Sequence, residues 1–286
     1  MPIPLSEALD QQATVAAGKI EDLRAPGRYL VSSMLAGAYI GVAIVLLLSA
    51  TGPLNAAGSP WTKLVQGLVF GIALTLVVFG GAELSTGNMM TMVQGMIARR
   101  RGVAAGIGVI LGSFVGNLIG SVVFAWLVHS ADVLSIGGTP GHAGPGAALL
   151  AGLIKAKTAE SAGTLFFRGV LCNFLVCLAV WMAARTKSDG AKLALIFWAL
   201  LAFISSGFEH VVANMTTFSL GMMAGVPGAT LGAFGKNLLF VGLGNLVGGA
   251  LLVGAGYGLL GRRTRVGTPA AGAGRPEMEP AVVAAS

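Results

Sequence analysis

The sequence predicts an all-α polytopic membrane protein: six transmembrane helices laid out as two inverted three-helix repeats, with the second and fifth helices broken. Three observations predict it: the composition, six long apolar runs, and two motifs that each occur twice. Of 286 residues, 55% are hydrophobic and 10% charged. A soluble domain carries about 25% charge because its wetted surface is large, and disorder needs low hydrophobicity, so both classes are excluded. The formal charge of +7 sits in short juxtamembrane groups with no interleaved aromatics, which excludes nucleic acid as a partner. Cys172 and Cys177 share one apolar segment, so they form neither a metal-ligand set nor a disulfide framework, and no metal or cofactor is expected.

The elements follow in order. Residues 1–28 are polar and contain no apolar h-region, so no cleavable signal is expected and the first span serves as its own signal. A helix crosses a hydrocarbon core of about 30 Å with roughly 20 apolar residues. Tyr29–Ala50, Gly102–Val128 and Asn237–Gly261 are such runs without a charge, and Thr164–Ala184 is one that contains Arg168. The second run, Leu64–Ala98, carries only Glu83, and the fifth, Leu193–Gly235, only Glu209 and His210. Both are too long for one straight crossing; the second would make about 52 Å of helix, so it must tilt, protrude or break.

Orientation is read from Lys and Arg. With the N-terminus inside, the cytoplasmic face receives Lys19, Arg24, Arg28, Arg99, Arg100, Arg101, Arg185, Lys187, Lys192, Arg262, Arg263, Arg265 and Arg275, and the outer face Lys63, Lys155, Lys157 and Lys236. That excess places both termini inside and requires an even number of spans. The chain thus divides into an N-terminal segment 1–28, a transmembrane domain 29–261 with repeats at about 29–128 and 164–261, and an Ala/Gly/Pro-rich tail 262–286 expected to be disordered. His129 and His142 stand in or beside a Gly/Pro-rich outer loop and read as solvated.

The repeat is explicit in the residues. Gly81-Ala82-Glu83 with Asn88-Met89 matches Gly207-Phe208-Glu209 with Asn214-Met215, an offset of 126, and Gly116-Asn117-Leu118-Ile119-Gly120 matches Gly244-Asn245-Leu246-Val247-Gly248, an offset of 128. Three spans per half invert the second half, and interrupted segments at matched positions line a site near the midplane. Gly108, Gly112, Gly116 and Gly120 fall on one helix face, which permits close backbone contact.

An ionisable residue inside a span is costly and faces protein or a cavity. Glu83 and Glu209, at equivalent positions by the breaks, are expected to accept hydrogen bonds from the backbone donors freed there. His210 has Leu84 as its counterpart, so symmetry does not account for it, and an imidazole titrates near physiological pH. Thr86 lies within the first break, where its hydroxyl meets His210 or a solute, or satisfies a freed carbonyl of its own helix. Asn173 is polar at depth, as pathway residue or as interhelical glue. Lys155 and Lys157 precede the fourth span, where a cation raises the local anion concentration.

The segments Gly81–Met90, Asn173–Ala183 and Gly207–Met215 resemble the signature segments of the formate/nitrite transporter family, and the similarity runs from about Arg28 to Gly261. The resemblance implies a homopentamer of six-helix, aquaporin-like protomers in a bacterial cytoplasmic (inner) membrane, each with its own pore for small monovalent anions. By motif position, His210 falls on the central histidine, Thr86 on the threonine of the broken second helix, Asn173 on the fourth-helix asparagine and Lys157 on the vestibule lysine. Leu74 and Leu84 fall on the cytoplasmic constriction, and Phe70 and Phe203 on the periplasmic one. Ser85 stands where formate channels usually have a bulky aromatic, which implies a wider inner constriction; Gly87-Asn88-Met89 resembles the nitrite branch, and Asn214, the repeat counterpart of Asn88, is expected with Ser85 among the pore residues. A weak acid that gains a proton crosses an apolar slit that a bare anion cannot, with His210 and Thr86 placed to exchange that proton. The alternatives are a formate- or hydrosulfide-preferring member, a neutral-solute channel, whose paired Asn-Pro-Ala boxes are missing here, and an intramembrane hydrolase pairing Ser85 with His210.

Overall fold

The computed structural model describes residues 1–98, 102–139 and 143–266, the last five by their backbone alone. Arg99, Arg100, Arg101, His142 and everything after Val266 lie outside the described residues, as do the side chains of Arg262, Arg263 and Arg265. The chain is all-helical. Among the described residues five helical stretches are long and apolar enough to cross a membrane: Pro26–Ala56, Thr62–Phe79, Val103–Ser130, Ala162–Ala184 and Leu231–Gly261. The protein is a multi-pass membrane protein.

The helices are α1 (Leu5–Asp22), α2 (Pro26–Ala56), α3 (Thr62–Phe70), α4 (Ile72–Phe79), α5 (Ser85–Ile97), α6 (Val103–Ser130), α7 (Pro145–Ala159), α8 (Ala162–Ala184), α9 (Asp189–Ser205), α10 (Val211–Met223), α11 (Leu231–Leu246) and α12 (Gly256–Val266), with a π-helical stretch Val247–Ala255 between the last two. Their starts carry recognisable signals. Pro26 and Pro145 occupy the first helical turn of α2 and α7, where the missing N–H costs nothing. Ser161, Ser188 and Thr230 cap α8, α9 and α11 by accepting from the N–H three residues on.

The long second and fifth runs both leave the helix. The second leaves it between Phe79 and Ser85 and the fifth between Ser205 and Val211. Each exit is a left-handed glycine, Gly81 at φ 69° and Gly207 at φ 73°, followed by a bond from Ala82 N–H to Val77 O or from Phe208 N–H to Phe203 O. This six-to-one bond with a left-handed glycine is the Schellman ending, and it satisfies a carbonyl that the helix can no longer use.

Small residues bring the long helices together in two matched pairs. On α6, Gly116 faces Ser33 and Gly120 faces the Met34 carbonyl of α2; on α11, Gly244 faces the Phe166 carbonyl of α8, and Gly248 at the start of the π stretch faces that of Val170. The glycine face of α6 therefore packs within the chain, against α2 and, through Gly108 and Gly112, against Leu23 and Tyr29. A β-carbon at Gly120 would collide with the Met34 backbone, whereas at Gly108 it would only touch a Leu23 methyl at 3.3 Å. Gly120→Ala should therefore lower Tm in detergent by roughly 3–10 °C and Gly108→Ala by under about 2 °C; equal shifts would mean that α2 and α6 do not cross at Gly120.

One segment differs from expectation. The Gly/Pro-rich loop before the fourth apolar run contains the 15-residue helix α7, which buries Leu149, Leu150 and Ile154; its alanines and leucines form a short apolar helix, and flanking glycines and prolines make it read as a loop. The N-terminal segment forms α1, with Ala8, Ala13 and Ala16 buried.

Candidate functional site

At each break the backbone is held by an asparagine from a later helix. Asn117 of α6 accepts from Ser85 N–H at 2.9 Å and donates to the Glu83 and Ser33 carbonyls, both at 2.8 Å. Asn245 of α11 accepts from Val211 N–H at 2.9 Å and donates to the Glu209 carbonyl at 3.0 Å and the Gly169 carbonyl at 2.8 Å. A primary amide offers one acceptor and two donors in a plane, which is what an interrupted backbone needs. These two residues carry the task that the sequence assigns to Glu83 and Glu209. Their signal was present as the repeated G-N-L-x-G, which shows equivalence but not a partner.

The glutamates do something else: among the described residues no backbone N–H donates to either carboxylate. Glu83 is bound by Lys19 Nζ at 2.6 and 2.7 Å and by Asn88 Nδ2 at 3.1 Å. Glu209 is bound by Lys157 Nζ at 2.8 and 2.7 Å and by Asn214 Nδ2 at 2.6 Å. Both pairs are largely enclosed, with side-chain exposures of 17% and 15% for Lys19 and Glu83 and 14% and 7% for Lys157 and Glu209. The neutral asparagine reaches the break at no charge cost, while a carboxylate in this setting takes the cation.

Between the two ion pairs stands the pair Thr86 and His210. Thr86 Oγ1 and His210 Nε2 are 3.1 Å apart. His210 also caps α10, its Nδ1 accepting from Ala213 N–H at 3.2 Å. Since Nδ1 accepts, the neutral ring carries its hydrogen on Nε2, and Nε2 donates to Thr86. Leu84, the repeat counterpart of His210, has no side chain that can cap; here the histidine serves as an N-cap in place of the usual Ser or Asp.

Three cavities follow one another through this centre. One of about 160 Å³ is lined by Lys157, Glu209, Asn214, Lys63 and Arg168 and reaches Phe203 and His210. Next is a void of about 10 Å³, bounded by eight apolar side chains, Phe70, Phe203, Leu74 and Leu84 among them, and by His210. The third, of about 430 Å³, begins again at Leu74 and Leu84 and is lined by Lys19, Glu83 and Asn88. Phe70 and Phe203 pack edge to face, with ring centroids 5.7 Å apart, and Phe203 lies 6.3 Å from the His210 ring.

Of the residues singled out in the sequence, His210, Phe70, Phe203, Leu74 and Leu84 thus share the central void, and Lys157 and Asn214 line the cavity on the Phe203 side. Thr86 touches the row through His210. Asn173 donates to the Thr86 carbonyl at 3.2 Å and the Asn245 carbonyl at 2.7 Å; it is glue between segments and lines none of the three cavities. Ser85 also lines none of them: it is fully buried and, among the described residues, its hydroxyl has no partner. The reason is geometric, since Ser85 N–H points to Asn117 at the first turn of α5 and the row is met by Leu84 before it. The hydroxyl bonded to His210 is that of Thr86, which leaves no Ser85–His210 pair. Lys19 was missed as a site residue because its glutamate lies 64 positions away.

The family model described as formate/nitrite transporter matches residues 7–259. The nitrite transporter NirC of Escherichia coli (strain K12) is 43% identical over 235 residues, covering 81% of this chain and 83% of that protein. Among solved structures, an FNT family ion channel superposes with a TM-score of 0.81 at 38% identity, covering 89% of this chain and 98% of the other. A pentameric formate channel with formate bound superposes with a TM-score of 0.67 at 30% identity, covering 83% and 98%. These are transporters and channels, not enzymes. A family model spanning nearly the whole sequence, together with membrane-length helices around a central row of cavities, makes this chain a member of the formate/nitrite transporter family.

Proposed function

We propose that the protein conducts small monovalent anions, nitrite foremost, as the protonated acid, with His210 exchanging the proton. The observation that carries this reading is the lining of the central void, in which His210 is the one polar side chain among eight apolar ones. A bare anion loses its hydration there without replacement, at a cost of several kcal/mol or more, while a neutral acid of the same size pays little. The anion enters from the Lys157 cavity with a proton that converts the neutral His210 ring to the imidazolium; the imidazolium gives one proton to the anion and returns to the neutral ring, and the neutral acid passes Leu74 and Leu84. Phe70 with Phe203 and Leu74 with Leu84 are the outer and inner constrictions. Thr86 holds the ring, Asn173 holds Thr86, and Glu83, Glu209, Lys157 and Asn214 set the polar walls on either side.

The same reading assigns α2, the broken α3–α5 and α6 to one half, and α8, the broken α9–α10 and α11–α12 to the other, inverted in the membrane. The matched glycine contacts, the two asparagine clamps and the two lysine–glutamate pairs support it. The Lys and Arg distribution supports cytoplasmic termini, and the likeness to the Escherichia coli transporter supports a bacterial inner membrane. The pentameric assembly of the formate channel supports a homopentamer here. Nitrite is preferred to formate because Gly87-Asn88-Met89 is of the nitrite type and the NirC likeness, at 43%, exceeds the 30% to the formate channel. Proteoliposomes containing the purified protein should take up nitrite saturably, with formate competing more weakly. Uptake no faster than that of protein-free vesicles would refute the proposal.

A further inference from the structure

The two large cavities differ in charge. On the Lys19 side the lining cation and carboxylate cancel, Lys19 against Glu83. The Lys157 side is lined by three cations and one carboxylate. Lys157 is taken by Glu209, and Arg168 by Glu160 at 2.7 Å. Lys63 remains: among the described residues its ammonium meets no carboxylate, and only its backbone carbonyl is engaged, by the Ser205 hydroxyl at 3.3 Å. It stands in the first turn of α3 and is exposed, whereas Lys157 is 14% exposed. The cations therefore grade from a free one at the rim to a neutralised one deep inside. Gln66, one turn on, lines the same cavity and is buried, so α3 presents a charge at the mouth and an amide below it.

We propose that Lys63 is the anion-capture residue of this vestibule, raising the local anion concentration at the Phe203 constriction while taking no part in the passage itself. The inference rests on the reading of the protein as an anion conductor. An uncompensated charge at the mouth of a low-dielectric cleft acts over a Debye length, about 30 Å at 0.01 M salt and about 3 Å at 1 M. A paired charge has no such reach. The consequence is a split in the kinetics: Lys63 sets the anion concentration needed for half-maximal flux, and leaves the maximal flux, governed by the void around His210, in place.

The test is nitrite uptake into proteoliposomes, with salt matched on both sides at about 0.01 M and about 1 M. Lys63→Gln should raise the half-saturating nitrite concentration roughly 3- to 10-fold at low salt and by less than about 2-fold at high salt, at unchanged maximal rate. Lys63→Arg should restore the parent value. Lys187→Gln, an exposed lysine outside the lining of all three cavities and expected on the opposite face, should change it by under about 2-fold. Parent-like half-saturation in Lys63→Gln at low salt, an equal effect of Lys187→Gln, or a lower maximal rate with unchanged half-saturation overturns the inference. Absence of nitrite uptake by the parent protein would overturn the functional reading instead, so the two failures are distinct.

Discussion

Replacing His210 by Asn removes nitrite-coupled proton movement, the largest functional loss expected from any single substitution in this protein. The amide is close to the imidazole in size and still offers an acceptor to Ala213 N–H and a donor to Thr86, so α10 keeps its cap and the row of cavities keeps its shape. What disappears is a group that gains and loses a proton. The remaining walls of the central void are apolar and nothing among them can replace it. A general acid placed against its acceptor is worth 10²–10⁴ in rate, so the coupled flux should fall by about 100-fold or more. The measurement is internal pH in proteoliposomes during a nitrite pulse, with ionophore controls that separate nitrous acid crossing the lipid. An Asn variant that acidifies the lumen as fast as the parent would make His210 a cap and nothing else.

The largest stability loss is expected from Asn245→Ala. The substitution strips partners from Val211 N–H and from the Glu209 and Gly169 carbonyls, all inside the protein. An orphaned buried group costs about 1–3 kcal/mol, and the N–H is the dearest because it has no second lone pair to use. A total near 4 kcal/mol is an order-of-magnitude figure that corresponds to roughly a 10 °C drop in Tm for a chain of this size. Asn173→Ala provides the comparison, since Asn173 donates to two carbonyls and to Met89 Sδ and, among the described residues, accepts from no backbone N–H, and should cost about half as much or less. If Asn245→Ala melts within about 2 °C of the parent, or below Asn173→Ala in cost, the asparagine does not hold the break.

Much of this arrangement could be read from the residues alone, and the reasons for the rest are physical. The breaks were legible because a lone carboxylate after a glycine interrupts an overlong apolar run, and because the same interruption recurs at Glu209. His210 was legible through asymmetry, as the titratable residue where its repeat has Leu84. The partners of the charges were not: Lys157 lies 52 positions from Glu209 and belongs to a helix too short and too flanked by Gly and Pro to register as one. Nor was the division of labour between Asn117 and Glu83, because sequence shows that a buried polar residue needs a partner without showing which one is within reach. Ser85 was misplaced for a related reason. Adjacent positions at a helix start point in very different directions, and the motif cannot say which of Leu84, Ser85 and Thr86 meets the row.

The asparagine clamps also bear on how the chain is made. Asn117 lies 34 positions after Glu83, and Asn245 lies 36 positions after Glu209, so each break is closed by a residue that the ribosome has not yet delivered when the break itself emerges. At about 5–20 residues per second the wait is about 2–7 s, during which a free N–H and a carbonyl at membrane depth cost several kcal/mol if lipid surrounds them. On the two-half layout proposed above, the broken segment has no resting place in the bilayer by itself, and is kept in a wet or protein-lined setting at the insertion machinery until its third helix arrives. The unit of membrane insertion on that layout is a three-span block, completed at Asn117 and again at Asn245, and not the single helix.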